Sequence, residues 1–211
     1  MTFDSVVVLD SNDVIKKAGE SKLNFNTLFQ VPAENVHQAI EMAQVFQDAI
    51  NGDTLEFNFD QALQLVKEHK EMAVTGTINQ SIVKQDNQVS AMVDDVMNLL
   101  DTVVGVYLDK ETPTYEKFKN TIEQGFTNLN EQKESSWIFW SKESEHKTTY
   151  TYNILFAVAN KDTGSVMAAA PIGLTITVDV DKEKVLWITT KDKHNYSVNV
   201  KSITVVEALQ A

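Results

Sequence analysis

Apolar residues fall on every second position from Val166 to Val180, where Val166, Ala168, Ala170, Ile172, Leu174, Ile176, Val178 and Val180 alternate with smaller or polar neighbours. That is the strand period, in which successive side chains point to opposite faces. Tyr150, Tyr152, Ile154, Phe156 and Val158 alternate in the same way, and Asn160-Lys161-Asp162-Thr163-Gly164 between the two runs has the chemistry of a hairpin turn. A second turn at Asp181-Lys182-Glu183 leads into Lys184 to Thr190, so a three-stranded antiparallel meander is expected. At ~3.3 Å per residue the middle strand would run ~50 Å, against ~17–20 Å for a common strand.

The rest of the chain supplies helices. Phe3 to Leu9 is a β-branched run ended by Asp10-Ser11-Asn12-Asp13, and Asn24 to Val31 is a weaker extended segment leading into Pro32. Val36, Ala39, Ile40, Ala43, Phe46 and Ile50 then fall at spacings of three and four before Asn51-Gly52, which predicts an amphipathic helix. Asn58 or Asp60 can cap a shorter helix carrying Phe59, Ala62, Leu63 and Val66. Ile78, Ile82, Val89, Val93, Val96, Leu100 and Val103 fit the helical period, as two helices broken near Asp86-Asn87. A further helix begins where Thr112 caps and Pro113 occupies the first turn, with Tyr115, Phe118, Ile122 and Phe126 following. Tyr196 to Val206 predicts one more strand, whose apolar face changes near Ser202 as a bulge or twist would require. Helices followed by strands argue α+β, with helices packed on an antiparallel sheet.

Composition narrows the function. A chain of 211 residues, 43% apolar and 23% charged, fits one domain over 1–211. A net charge of -12 argues against nucleic acid as a partner and against attraction to anionic lipid, since both need clustered Lys and Arg. Contact with a membrane would then run through apolar or aromatic surface. No cysteine is present, which removes disulfides and thiolate chemistry. No apolar run approaches the ~18 residues of a spanning helix, and Met1 to Asp10 lacks the basic start of a signal peptide, so a chain made in soluble form is expected.

Catalytic, cofactor and metal signals are weak. His37, His69, His146 and His194 stand far apart and share no ligand spacing. Asp162-Thr163-Gly164-Ser165 has the form of an aspartic-protease loop, but a hairpin turn explains it better, because Asn160-Lys161 separates it from the preceding strand. Asp179, Asp181 and Glu183 read as a solvated hairpin tip rather than a calcium loop. No catalytic residue, cofactor or metal is therefore expected. Trp137, Phe139, Trp140 and Trp187 are an aromatic set with two readings, core filling or a belt at a membrane interface, of which core filling is preferred.

Several stretches carry a family resemblance. They include Phe126-Thr127-Asn128-Leu129-Asn130-Glu131-Gln132, Trp137-Ile138-Phe139-Trp140, Thr149 to Phe156, Asp162 to Met167, Lys184-Val185-Leu186 and Thr190-Lys191-Asp192. Earlier and later matches are Asn26-Thr27-Leu28-Phe29, Gln38-Ala39-Ile40, Phe46-Gln47, Phe57-Asn58-Phe59, Thr75 to Ser81 and Val205 to Leu209. In this order, over nearly the whole chain, they resemble the cytolytic, or Cyt, delta-endotoxins of insecticidal bacteria. The resemblance implies a three-layer α/β/α fold, with helical hairpins flanking a mostly antiparallel sheet. It further implies a toxin released by its producer, in some cases as a crystal inclusion, that binds membrane phospholipid directly, self-associates there and permeabilises cells, with other crystal toxins as possible partners. Members are usually activated by trimming of both ends. This chain begins near its first strand and stops soon after its last, which reads as a trimmed core or a naturally short homologue.

Joined to the hydrophobic pattern, the resemblance gives a mechanism. A strand crosses the hydrocarbon core in ~9–11 tilted residues, for which the Tyr150 and Val166 runs are long enough. The expected inserting residues are Tyr150, Tyr152, Ile154, Phe156 and Val158 with Ala170, Ile172, Leu174, Ile176 and Val178. Trp137, Trp140 and Trp187 are the expected interface aromatics. The helices of Pro32 to Leu108 would cover these strands until a bilayer displaces them. Two further readings are amphipathic helices that lie on the bilayer without a defined pore, and a non-lytic lipid- or surface-binding protein on the same fold.

Overall fold

A computed structural model describes residues 6–18, 23–160 and 163–210. Its centre is a seven-stranded sheet in the order β1-β2-β5-β6-β7-β3, with β4 pairing the remaining length of the β5 edge. The strands are β1 Val6–Leu9, β2 Asn26–Pro32, β3 Met72–Gln88, β4 Ile138–Glu143, β5 Thr148–Val158, β6 Val166–Val178 and β7 Lys193–Ala208. Among the described residues only β2 and β5 run parallel; every other strand pairing there is antiparallel. The expected strand at Phe3 is seen from Val6, its first residues lying outside the described ones.

Helices cover both faces. On one side α4 (Val89–Val104) and α5 (Pro113–Glu123) bury Met92, Val96, Leu100, Phe118 and Ile122 against the sheet, and the short α6 (Leu129–Gln132) adds Leu129. On the other, α2 (Val36–Gln47) and α3 (Phe59–Glu68) bury Ala39, Ala43, Phe46, Ala62 and Val66. α1 (Ser11–Ala18) adds Val14 to this second core. The three-layer α/β/α arrangement agrees with the expectation. The caps act as their residue types dictate: Asn58 Oδ1 accepts the Gln61 N–H at 2.9 Å, and Thr112 caps α5 ahead of Pro113.

Three expectations give way. The segment from Thr75 to Asn87 is not helical but lies within the 17-residue β3. Ile78 and Ile82 are four apart, a spacing that suits one face of a helix and also one face of a strand, and pairing along β7 decides between them. The break near Asp86 is real in another form, since Asp86 adopts φ 46 where β3 bulges against β7 between Lys84 and Asn87. Lys184 to Thr190 is not a third meander strand: Asp181 Oδ1 accepts the Lys184 N–H at 2.9 Å and caps α7 (Lys182–Leu186). Val185, Leu186 and Ile188 are buried in the first core from there, and β7 takes the place beside β6.

The change of apolar face near Ser202 needs no break in β7. Its register with β6 is continuous from Val178↔Tyr196 to Val166↔Ala208. Tyr196, Val198 and Val200 face α4 and α5, whereas Ile203 and Val205 face α2 and α3. The second helical layer covers only one half of its face, and the sequence follows that coverage.

Candidate functional site

The hairpin of β5 and β6 brings the ten expected inserting residues onto one face. Tyr150 pairs with Ile176, Tyr152 with Leu174, Ile154 with Ile172 and Phe156 with Ala170, with Val178 and Val158 at the two ends of the same hairpin. All ten are buried beneath α4 and α5 in one cluster. Tyr196, Val198 and Val200 of β7 continue that face next to Val178, Ile176 and Leu174. Their alternation was visible in the sequence, but only the fold shows that they belong to the same surface.

This corrects the covering helices. α4 lies within Pro32 to Leu108, as expected, but α5 lies beyond it, and α2 and α3 cover the opposite face through Leu155, Ala157, Ala169, Ile203 and Val205. The layer over the ten residues is therefore α4 with α5, completed by Phe126, Leu129, Val185, Leu186 and Ile188 from later in the chain.

Its attachment combines apolar packing with a few polar ties. The Phe118 and Phe156 rings lie 4.7 Å apart between centroids. A Cβ at Gly76 would meet Val103 Cβ at 2.9 Å, so α4 and β3 approach as closely as the glycine permits. The Thr114 hydroxyl of α5 donates to Gln30 Oε1 on β2. Between the two helices, Lys119 Nζ lies 3.1 Å from Asp94, and Tyr115 donates to Asp101 Oδ2 at 3.3 Å, with Lys110 on the same oxygen. Burial, followed by the adjacent Asp101 carboxylate, raises the Tyr115 phenol above its ordinary range.

Polar groups interrupt the buried face at its tyrosines. Tyr150 donates to Gly125 O at 2.7 Å, and Tyr152 donates to Gln132 Oε1 while accepting from Asn26 Nδ2 at 2.9 Å. Each bond runs to an element outside the β5–β7 strands. Separation of the layers therefore leaves these phenols in need of water or an interfacial partner.

The tryptophans divide. Trp137 and Trp140 are half-buried against the first core, Trp137 donating to Gln132 Oε1 at 3.2 Å and Trp140 to Lys133 O at 3.0 Å. Lys182 Nζ sits 4.7 Å from the Trp140 ring centroid. Trp187 is 62% exposed, contrary to core filling.

Asp162 lies outside the described residues. The neighbouring Thr163 hydroxyl and N–H both reach Asn160 O, closing a turn between paired β5 and β6, as the hairpin reading requires. Asp181 serves as a helix cap rather than part of a hairpin tip. Among the described residues no group of three or more His, Asp or Glu could hold a metal ion, and no helix is long and apolar enough to cross a membrane.

Residues 9–211 match the family described as Bacillus thuringiensis toxin, which places the chain in a class of bacterial toxins. It is 41% identical over 188 residues to the type-2Aa cytolytic delta-endotoxin of Bacillus thuringiensis subsp. kyushuensis, covering 89% of this chain and 72% of that one. Identity to the type-2Ba cytolytic delta-endotoxin of subsp. israelensis is also 41%, over 89% of this chain and 71% of the relative. A solved delta-endotoxin superposes with a TM-score of 0.85 at 41% identity, over 89% of this chain and 82% of that one. The activated Cyt2Ba monomer of subsp. israelensis superposes with a TM-score of 0.82 at 41% identity, over 89% of this chain and 100% of that one. The chain belongs to the cytolytic delta-endotoxin family.

Proposed function

We propose that this protein is a cytolytic toxin that binds phospholipid bilayers directly and permeabilises them by presenting the α4/α5-covered face of β5, β6 and β7 to lipid. The observation that carries this reading is the continuity of that face. Ile154, Phe156, Ile172, Leu174, Ile176, Val198 and Val200 form one apolar surface across three strands, under helices from a different part of the chain.

The strands are long enough. β5, β6 and β7 have 11, 13 and 16 residues, against the ~9–11 that a tilted strand needs to cross hydrocarbon. The cytolytic names of the relatives support the same outcome.

Insertion as strands requires association, because an unpaired edge in lipid leaves backbone N–H and C=O groups without partners. β3 ends the sheet and pairs only with β7 along its 17 residues. From Met72 to Val83 it carries no charge and no proline, the usual devices that block pairing at an edge. A second copy on the membrane is the partner this edge suits. The protein would act after release from its producer, on the membranes of target cells.

Dye release from phosphatidylcholine vesicles tests the reading. Release that follows binding is the expected result. Binding without release would instead favour a non-lytic lipid-binding protein.

A further inference from the structure

One end of the sheet gathers the β4–β5 connection, the β6–β7 connection with α7, and the start of α4. The register sets Thr148, Val178 and Tyr196 side by side there. Trp187 stands just past α7 at this end and is 62% exposed, the one aromatic among the strongly exposed large apolar side chains of the described residues. Its indole N–H donates to Glu183 Oε1 at 3.3 Å, and the buried Ile188 beside it fixes the turn from below. Trp140 is half-buried at the same end with Lys182 of α7 over its ring, and Val83, opposite Ser197, is exposed. An apolar ring with a polar tip is what the bilayer interface selects.

Charge sets this end apart as well. Residues 142–147 and 179–194 carry six lysines and six acidic residues, so the net charge of -12 falls entirely on the rest of the chain. Lys184, Lys193, Glu183 and Asp192 line one open cleft with Trp187. A neutral end carrying both signs suits the paired charges of a zwitterionic headgroup layer, whereas the acidic remainder is repelled by anionic lipid.

The same turn holds the covering layer. Gln88 gives α4 no side-chain cap; instead the N–H groups of Val89 and Ser90 donate to Asp192 O at 3.0 Å and Thr190 O at 3.2 Å. Gln88 Nε2 adds a bond to Lys191 O at 3.4 Å. The first N–H groups of a helix find no partner within it, so the carbonyls of residues 190–192 stand in for the cap. Movement of this turn uncaps α4.

We infer that this end, led by Trp187, is where the folded protein first touches a phosphatidylcholine surface, and that seating Trp187 among the headgroups draws the 187–192 turn off the start of α4. This rests on the lipid-binding reading above and adds an order of events. Docking comes first, then loss of α4 from its first turn, then exposure of the face beneath.

The test separates binding from release. Co-sedimentation with phosphatidylcholine vesicles should be about tenfold or more weaker for Trp187→Ala, with Trp187→Phe in between. Val106→Ala, at a 76% exposed residue just past the far end of α4, should bind as the unaltered chain does. Dye release per bound molecule should also fall in Trp187→Ala, which weaker binding by itself does not produce. The chain has no cysteine, so a nitrobenzoxadiazole label on the exposed Thr189→Cys reports this end with the indole intact. Its emission should shift to the blue before release begins, and the same label on Val106→Cys only with release or after it. In hydrogen exchange after vesicle addition, Val89 and Ser90 should lose protection before Leu100. Unchanged binding by Trp187→Ala, or a Thr189 label that lags release, would overturn the docking end and leave cytolysis standing. Protection lost first at Leu100, or release per bound molecule unchanged in Trp187→Ala, would overturn the link to α4. If the unaltered protein does not bind these vesicles, the lipid-binding reading falls and this inference with it.

Discussion

Phe118 is fully buried on α5 with its ring against Phe156 of β5, so one side chain joins the covering layer to the face it covers. Phe118→Ala removes the ring and leaves a cavity, at a cost of about 3–5 kcal/mol. A urea titration should show that loss. Vesicle release by the same variant should become faster, because the destabilised contact is one that insertion has to break. Tyr115 acts at the neighbouring contact between α4 and α5. Its phenol is raised above the ordinary value of 10.0, so in alkali the unfolded chain gives up this proton before the native one does. The Tyr115 contribution is thus complete below about pH 10 and declines as pH rises through the folded-state value. Comparing urea midpoints at about pH 8 and about pH 11 should show a smaller alkaline loss for Tyr115→Phe than for the unaltered chain.

Among the elements, α4 and β3 meet closely at Gly76. A Cβ at position 76 would come 2.7 Å from Val103 Cγ1, which makes Gly76→Ala an overpacking change worth about 1–3 kcal/mol. Adding Val103→Ala to the same chain should recover most of that loss, and a double-mutant cycle in urea would measure the recovery. The elements also differ in how plainly the sequence announces them. β5, β6, α2 and α5 alternate or cap without ambiguity, and each stands where its pattern puts it. β3 is misleading because Ile78 and Ile82 satisfy both periods and its outward residues are polar whichever structure forms. α7 is misleading because Val185, Leu186 and Ile188 have the composition of a strand, while the Asp181 cap is a single side-chain bond. Long-range pairing with β7 decides the first case and local capping the second.

For the whole molecule, the buried face of β5 and β6 was legible because strand alternation is a local property. Which helices cover it was not, since α2 and α4 carry similar amphipathic patterns and only the topology sends them to opposite faces of the sheet. The net charge of -12 gives no electrostatic pull toward anionic lipid, so the proposed binding would draw on apolar surface, most of which the folded protein keeps inside. On the proposed mechanism, cytolysis depends on α4 and α5 coming away. The direct test pins this layer at both sides of the sheet with a reducible bis-thiol linker, joining Ile82→Cys to Leu99→Cys and Gln30→Cys to Thr114→Cys in one chain. The sequence has no cysteine to interfere, Ile82 and Leu99 line one open cleft between β3 and α4, and Gln30 and Thr114 already bond. The expected result is near-complete loss of dye release from phosphatidylcholine vesicles while the linker is intact, with recovery after reduction. Undiminished release by the fully linked protein would contradict displacement of α4 and α5.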